Sequence, residues 1–100
     1  MTSKQRAYLR GLANSVDAIV HVGKGGVSDA MIKQADDALT ARELIKGKAL
    51  ETAPVSARES AEQLAAAVGA EVVQVIGRVF VLYRRNNEKP MIELPKAGKA

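Results

Sequence analysis

The residues His21-Val22-Gly23-Lys24-Gly25-Gly26-Val27-Ser28 constrain this chain more than any other stretch. A short run rich in β-branched residues (18–22) ends there, and three glycines and a lysine follow within four residues. A helical pattern then begins at Ser28. Strand passing directly into helix is the first half of a parallel crossover, so a second strand is required downstream. Without Cβ atoms the loop backbone can approach a ligand closely. The helix that follows points its unpaired N–H groups and the positive end of its dipole back at the loop. In outline this is an anion site, and Lys24 at its tip makes phosphate the natural guest.

The remaining elements arrange themselves around that turn. A first helix is predicted from Ser3, as cap, to about Ala13, with Tyr8, Leu9, Leu12 and Ala13 on one face and Arg6 and Arg10 flanking it. After a turn at 14–17 and the strand 18–22, Ser28 caps a second helix whose buried stripe is Met31, Ile32, Ala35, Ala38 and Leu39. Lys33, opposite that stripe, has Asp29 and Asp37 one turn away on either side and reads as an ion-pair partner. Residues 43–50 alternate as a strand, with Leu44, Lys46 and Lys48 on one face and Ile45, Gly47 and Ala49 on the other. Two lysines on one side suggest that this face meets water or phosphate.

Pro54 breaks the chain, and Ser56-Ala57-Arg58-Glu59 is a capping box that opens a third helix. It buries Ala57, Ala61, Leu64, Ala65 and Val68 and stops at Gly69. Strands 71–76 and 79–84 flank Gly77-Arg78, a two-residue signal suited to a type II′ hairpin turn. The expected fold is a two-layer α/β (α+β) domain: a helix and then βαβαββ. Its mixed sheet is parallel through the crossovers and antiparallel at the hairpin, with the second and third helices on one face. The first helix could lie on either side. One domain is expected over residues 1–85. Residues 86–100 read as a loosely held tail, in which Met91-Ile92-Glu93-Leu94 could dock as a short extended piece.

Composition narrows the chemistry. The 100 residues include no cysteine, which removes thiol chemistry and thiolate metal sites, and a single histidine, His21, which makes an imidazole-based metal site or a serine triad hard to assemble. No enzyme activity, cofactor, metal or small-molecule substrate is expected. Nor is a membrane span or secretory signal, and the chain reads as cytosolic, soluble and monomeric. The net charge is +4, yet the second and third helices together carry a net of minus two, leaving plus six elsewhere. Basic charge is thus segregated onto the first helix, the loop, the strands and the tail, as in nucleic-acid binders.

The loop itself admits several readings. It lacks the GxxxxGK[ST] order of a nucleotide-triphosphate loop and the GxGxxG of a dinucleotide site. A plain strand-to-helix turn and a GxxG clamp on a nucleic-acid backbone, as in KH-type domains, both remain.

Four separated motifs bear on that choice. Thr2-Ser3-Lys4-Gln5-Arg6-Ala7-Tyr8-Leu9-Arg10, Val22-Gly23-Lys24-Gly25-Gly26, Glu43-Leu44-Ile45-Lys46, and Gln74-Val75-Ile76-Gly77-Arg78 leading to Leu82-Tyr83-Arg84 stand in order over residues 2–85. Together they resemble the chloroplast RNA splicing and ribosome maturation (CRM) domain, in particular its stand-alone bacterial members. The resemblance implies a fold related to the C-terminal domain of translation initiation factor three, with sheet order 1-2-4-3. It also implies RNA binding, with precursors of the large ribosomal subunit as the expected partner. Carried over by position, Gly23, Lys24, Gly25 and Gly26 become the RNA loop, and Arg6, Arg10, Arg78 and Arg84 the surrounding basic surface. Gly47 departs from the β-branched residue more usual after Glu-Leu-Ile-Lys, which puts the regularity of that strand in question. With only Tyr8, Phe80 and Tyr83 as aromatics, backbone and shape recognition is expected rather than base stacking. The alternative is a protein-interaction module that docks on a ribosomal protein or assembly factor through the lysine-bearing sheet face.

Overall fold

The computed structural model describes residues 1–95. Its elements are α1 (Ser3–Ala13), β1 (Ala18–Val22), α2 (Asp29–Arg42), β2 (Leu44–Ala49), α3 (Ala57–Val68), β3 (Glu71–Ile76) and β4 (Val79–Tyr83). The sheet has the order β1-β2-β4-β3, with β1 and β2 parallel and β4 antiparallel to both β2 and β3. Local chemistry accounts for most boundaries. Ser28 Oγ accepts from Met31 N at 3.2 Å, and Ser56 with Glu59 forms a reciprocal capping box at 3.1 and 3.2 Å. Gly69 ends α3 at φ +69, and Gly77 turns the hairpin at φ +57. Three elements differ at their ends from expectation. Thr2, not Ser3, caps α1, because Thr2 and Gln5 complete a capping box one residue earlier. The second strand is confined to Leu44–Ala49, with Glu43 ending α2 instead, and the last strand stops at Tyr83.

Two apolar clusters divide the interior. Val20, Val22, Ile45, Phe80 and Leu82 face α2 and α3, meeting Ala35, Leu39, Ala61 and Leu64. On the other face Leu44, Val73, Val81 and Tyr83 meet Leu9 and Ala13 of α1. The first helix therefore settles on the side opposite α2 and α3, a choice that connection rules left open. It reaches only the half of that face nearest the start of β2.

Two irregularities are sealed by helix side chains. The β1–β2 register shifts between Ala18 and Val20, and Gln34 Nε2 donates to the Ile19 carbonyl at 3.0 Å. The β3–β4 register shifts between Val72 and Gln74, and Arg6 Nη1 donates to the Val72 and Val73 carbonyls at 2.6 and 3.1 Å. Both bulges lie on edge strands, where unpaired carbonyls would otherwise invite another chain.

Residues 86–95 are held against the body rather than hanging from it. Glu43, fully buried and the only described non-glycine residue with positive φ (+66), accepts N–H bonds from Asn86 (2.6 Å), Met91 (2.7 Å) and Ile92 (2.6 Å). Ile92 and Leu94 pack on the α1-side cluster, which is the docked alternative read for residues 91–94. The expected tail continues through 96–100, which lie outside the described residues.

Candidate nucleic-acid interface

The glycine loop sits at the end of the sheet where β1 and β2 finish. Leu50 N donates to the Val22 carbonyl at 2.8 Å, and Gly26 N to the Gly23 carbonyl at 2.9 Å. The second bond closes a four-residue turn that places Lys24 and Gly25 at its exposed tip. One of the glycines has a reason within the fold: Gly26 has φ +68, and a Cβ built on it would stand 3.4 Å from Pro54 Cγ, whereas one on Gly23 would make only an ordinary contact with Leu50 Cδ1 at 3.8 Å. Gly25 has neither a positive φ nor any neighbour within 4 Å of its would-be Cβ. Its surroundings are open, and no described carboxylate pairs with Lys24.

The arginines expected around the loop divide into separate groups. Arg78, at the hairpin turn, shares the loop's end of the sheet, since its carbonyl accepts from Ala49 N at 2.8 Å. Its half-exposed side chain pairs with Glu51 at 3.2 Å, an exposed bridge that phosphate can displace at little cost. Arg10 is exposed on α1 and has no acidic partner among the described residues. Arg6 is half-buried and commits Nη1 to the β3 bulge, so it acts as much on the fold as on the surface.

Arg84 does not belong to this surface. Its Nη1 donates to Asp36 Oδ1 (2.6 Å) and the Val68 carbonyl (2.9 Å), and its Nη2 to the Asp36 carbonyl (3.0 Å) and Thr40 Oγ1 (2.8 Å). It ties the ends of α2 and α3 to β4. Tyr83 is paired with Leu44, whereas the glycine loop follows Val22, paired with Ala49. At about 3.3 Å per residue, Arg84 stands roughly 17 Å or more from the loop, at the opposite end of the sheet.

The carboxylate of Glu43 lies at that far end too. Burial by itself would push its pKa up, but the backbone N–H groups of Asn86, Ile92 and Met91, with the charge of Arg85, outweigh burial and hold it below the usual value. Sequence reasoning took Glu43 for the first residue of a strand and missed this role. The Glu-Leu-Ile-Lys motif was its only signal. Among the described residues no cluster of three His, Asp or Glu side chains is placed to hold a metal.

Comparison with known proteins follows the same outline. Residues 1–84 match the family model described as the CRS1 / YhbY (CRM) domain. "Probable RNA-binding protein YqeI" of Bacillus subtilis is 44% identical over 95 residues, covering 95% of this chain and 99% of that protein. A Haemophilus influenzae protein named "RNA-binding protein" is 32% identical, covering 96% of each chain. The solution structure of SAV1595 from Staphylococcus aureus, described as a hypothetical protein and candidate RNA binder, superposes with a TM-score of 0.78. It is 48% identical and covers 95% of this chain and 99% of its own.

Proposed function

The chain belongs to the CRS1 / YhbY (CRM) domain family, and from that premise we propose that it binds structured RNA, gripping the sugar-phosphate backbone with the loop 23–26. Lys24 and the loop N–H groups hold a phosphate, and Arg10 and Arg78, with the outer part of Arg6, extend the basic surface. The target we infer is precursor ribosomal RNA of the large subunit.

The observation that carries the loop assignment is Gly25. The fold asks nothing of it, yet an added side chain would project into the space a backbone phosphate would occupy. Tyr8 is 43% exposed while Phe80 and Tyr83 are buried, which leaves no stacking platform and favours contact with backbone and shape. The names of the relatives support RNA as the ligand class.

Replacing Lys24 and Gly25 by glutamate tests the proposal. The double variant should keep the wild-type unfolding transition and lose RNA affinity. For the wild type, about four to six neutralised phosphates give a slope of log K against log salt of roughly −3 to −5. Unchanged affinity at several salt concentrations would discard the loop. Cross-linking in cells and sequencing the bound RNA tests the ribosomal target; no enrichment of large-subunit precursor would discard it.

A further inference from the structure

Because α1 covers only half of its face of the sheet, a row of residues beside the glycine loop is left open. The register runs across all four strands: His21 pairs with Lys48, Lys48 with Val79, and Val79 with Ile76. His21, Lys48 and Ile76 are exposed, Ile76 by 62%, and Val79 is partly so. One step down, Lys46 shares this face and is half-buried, beside Val81 in the α1-side cluster. Four strands span about 14 Å, and Lys46 and Lys48 are about 7 Å apart along β2.

The band is framed by cations. The loop with Lys24 follows β1 at one corner, and Arg78 stands in the β3–β4 turn at the other. On α1, Gln5 Nε2 donates to the Pro95 carbonyl at 3.0 Å and Leu12 lines a groove with Ile92, so that flank looks toward the C-terminal segment. Arg6 and Arg10 lie on the other flank of Leu9 at 3.6 residues per turn, Arg6 bonded to the Val72 and Val73 carbonyls and Arg10 exposed. No described carboxylate pairs with Lys46 or Lys48. Glu51, at the rim, pairs with Arg78, and Glu71 is at the far end of the sheet beside Tyr83. Such a surface, with lysines on one side and Val79 and Ile76 on the other, attracts polyanions and repels basic partners.

We propose that this uncovered band is a second RNA contact, which takes the strand onward from the glycine loop across the sheet. Lys48 and Lys46 neutralise successive phosphates, and Ile76 and Val79 give apolar surface to a ribose or base face. The inference rests on the RNA reading above, extends it from a loop to a track, and assigns the lysine-bearing face to RNA rather than to a protein.

The test compares Lys46→Gln/Lys48→Gln, Ile76→Ala and Lys24→Glu/Gly25→Glu in the full chain. The probe is an RNA hairpin with a single-stranded 3′ extension, and unfolding midpoints are measured alongside. The lysine variant should weaken binding about tenfold or more at low salt and flatten the salt slope by about 1.5, as expected for two lost phosphate contacts. Ile76→Ala, exposed and outside the core, should weaken binding several-fold with the slope unchanged. Wild-type affinity and slope in the lysine variant would overturn the band, whatever the loop variant does. Loss in the lysine variant with none in the loop variant would keep the band and discard the loop instead.

Discussion

Gly47 lies directly beneath the ring of Phe80, its partner across β2 and β4, and the glycine and the aromatic fill one another's space. A Cβ on Gly47 would stand 2.5 Å from Cε1 and 3.0 Å from Cε2 of a ring that is fully buried and cannot swing away. The residue that looked like a weak point in the strand is thus where the bulky, fully buried Phe80 ring is seated; pairing with β4 stays regular on either side of it, while the register with β1 shifts opposite Lys46 and Gly47.

Substituting that glycine should therefore overpack the core. Gly47→Ala is expected to cost about 1–3 kcal/mol in denaturant unfolding. Phe80→Leu in the same chain should recover part of the loss, because the smaller side chain frees the space. A double-mutant cycle measures this as a coupling between the two sites, and strict additivity would contradict the packing described.

Glu43→Gln should destabilise the protein by about 3 kcal/mol, since an amide cannot accept three backbone N–H groups and places its own donor among them. The pH dependence follows from the lowered carboxylate pKa. A depressed folded-state value means that the unfolded chain takes up the proton first. The stabilisation is complete above the ordinary glutamate value of about 4.3 and is lost as pH falls through the folded-state value. Unfolding curves from pH 7 to 3 should show the gap between wild type and Glu43→Gln narrowing only at the acidic end.

Arg84→Ala should lower stability by about 1–3 kcal/mol through loss of its bonds to Asp36, Val68 and Thr40. Affinity for RNA per folded molecule should not change. Arg10→Gln should do the reverse, weakening binding while leaving the unfolding midpoint in place. Binding titrations paired with thermal melts separate the two arginines.

Gly11→Ala and Gly25→Ala form a matched pair. Neither position has a positive φ or a neighbour that an added methyl would strike. In the exposed helix interior, Gly11→Ala should raise stability by about 0.5–1 kcal/mol and leave RNA affinity alone. Gly25→Ala should be neutral in stability or slightly stabilising and should weaken binding, which titration at fixed salt would reveal.

Much of this protein is written in local chemistry. Apolar periodicity, the caps at Ser28 and Ser56, the αL glycine at 69 and the Gly77-Arg78 turn act within a few residues of themselves. They determine the element order and, with crossover handedness, the strand directions and the shared face of α2 and α3, without reference to distant groups; the strand order β1-β2-β4-β3 was implied only by the family resemblance. The exposed lysine–glycine tip is legible for the same reason. Tertiary structure decided what depends on residues far apart in the chain. It put α1 on the second face and set Phe80 over Gly47. It turned Arg84 inward to Asp36 and closed residues 86–92 on the carboxylate of Glu43. An arginine or glutamate has the same sequence signature whether it meets solvent or a buried set of backbone groups; only long-range packing, which removes water from one and not the other, distinguishes them.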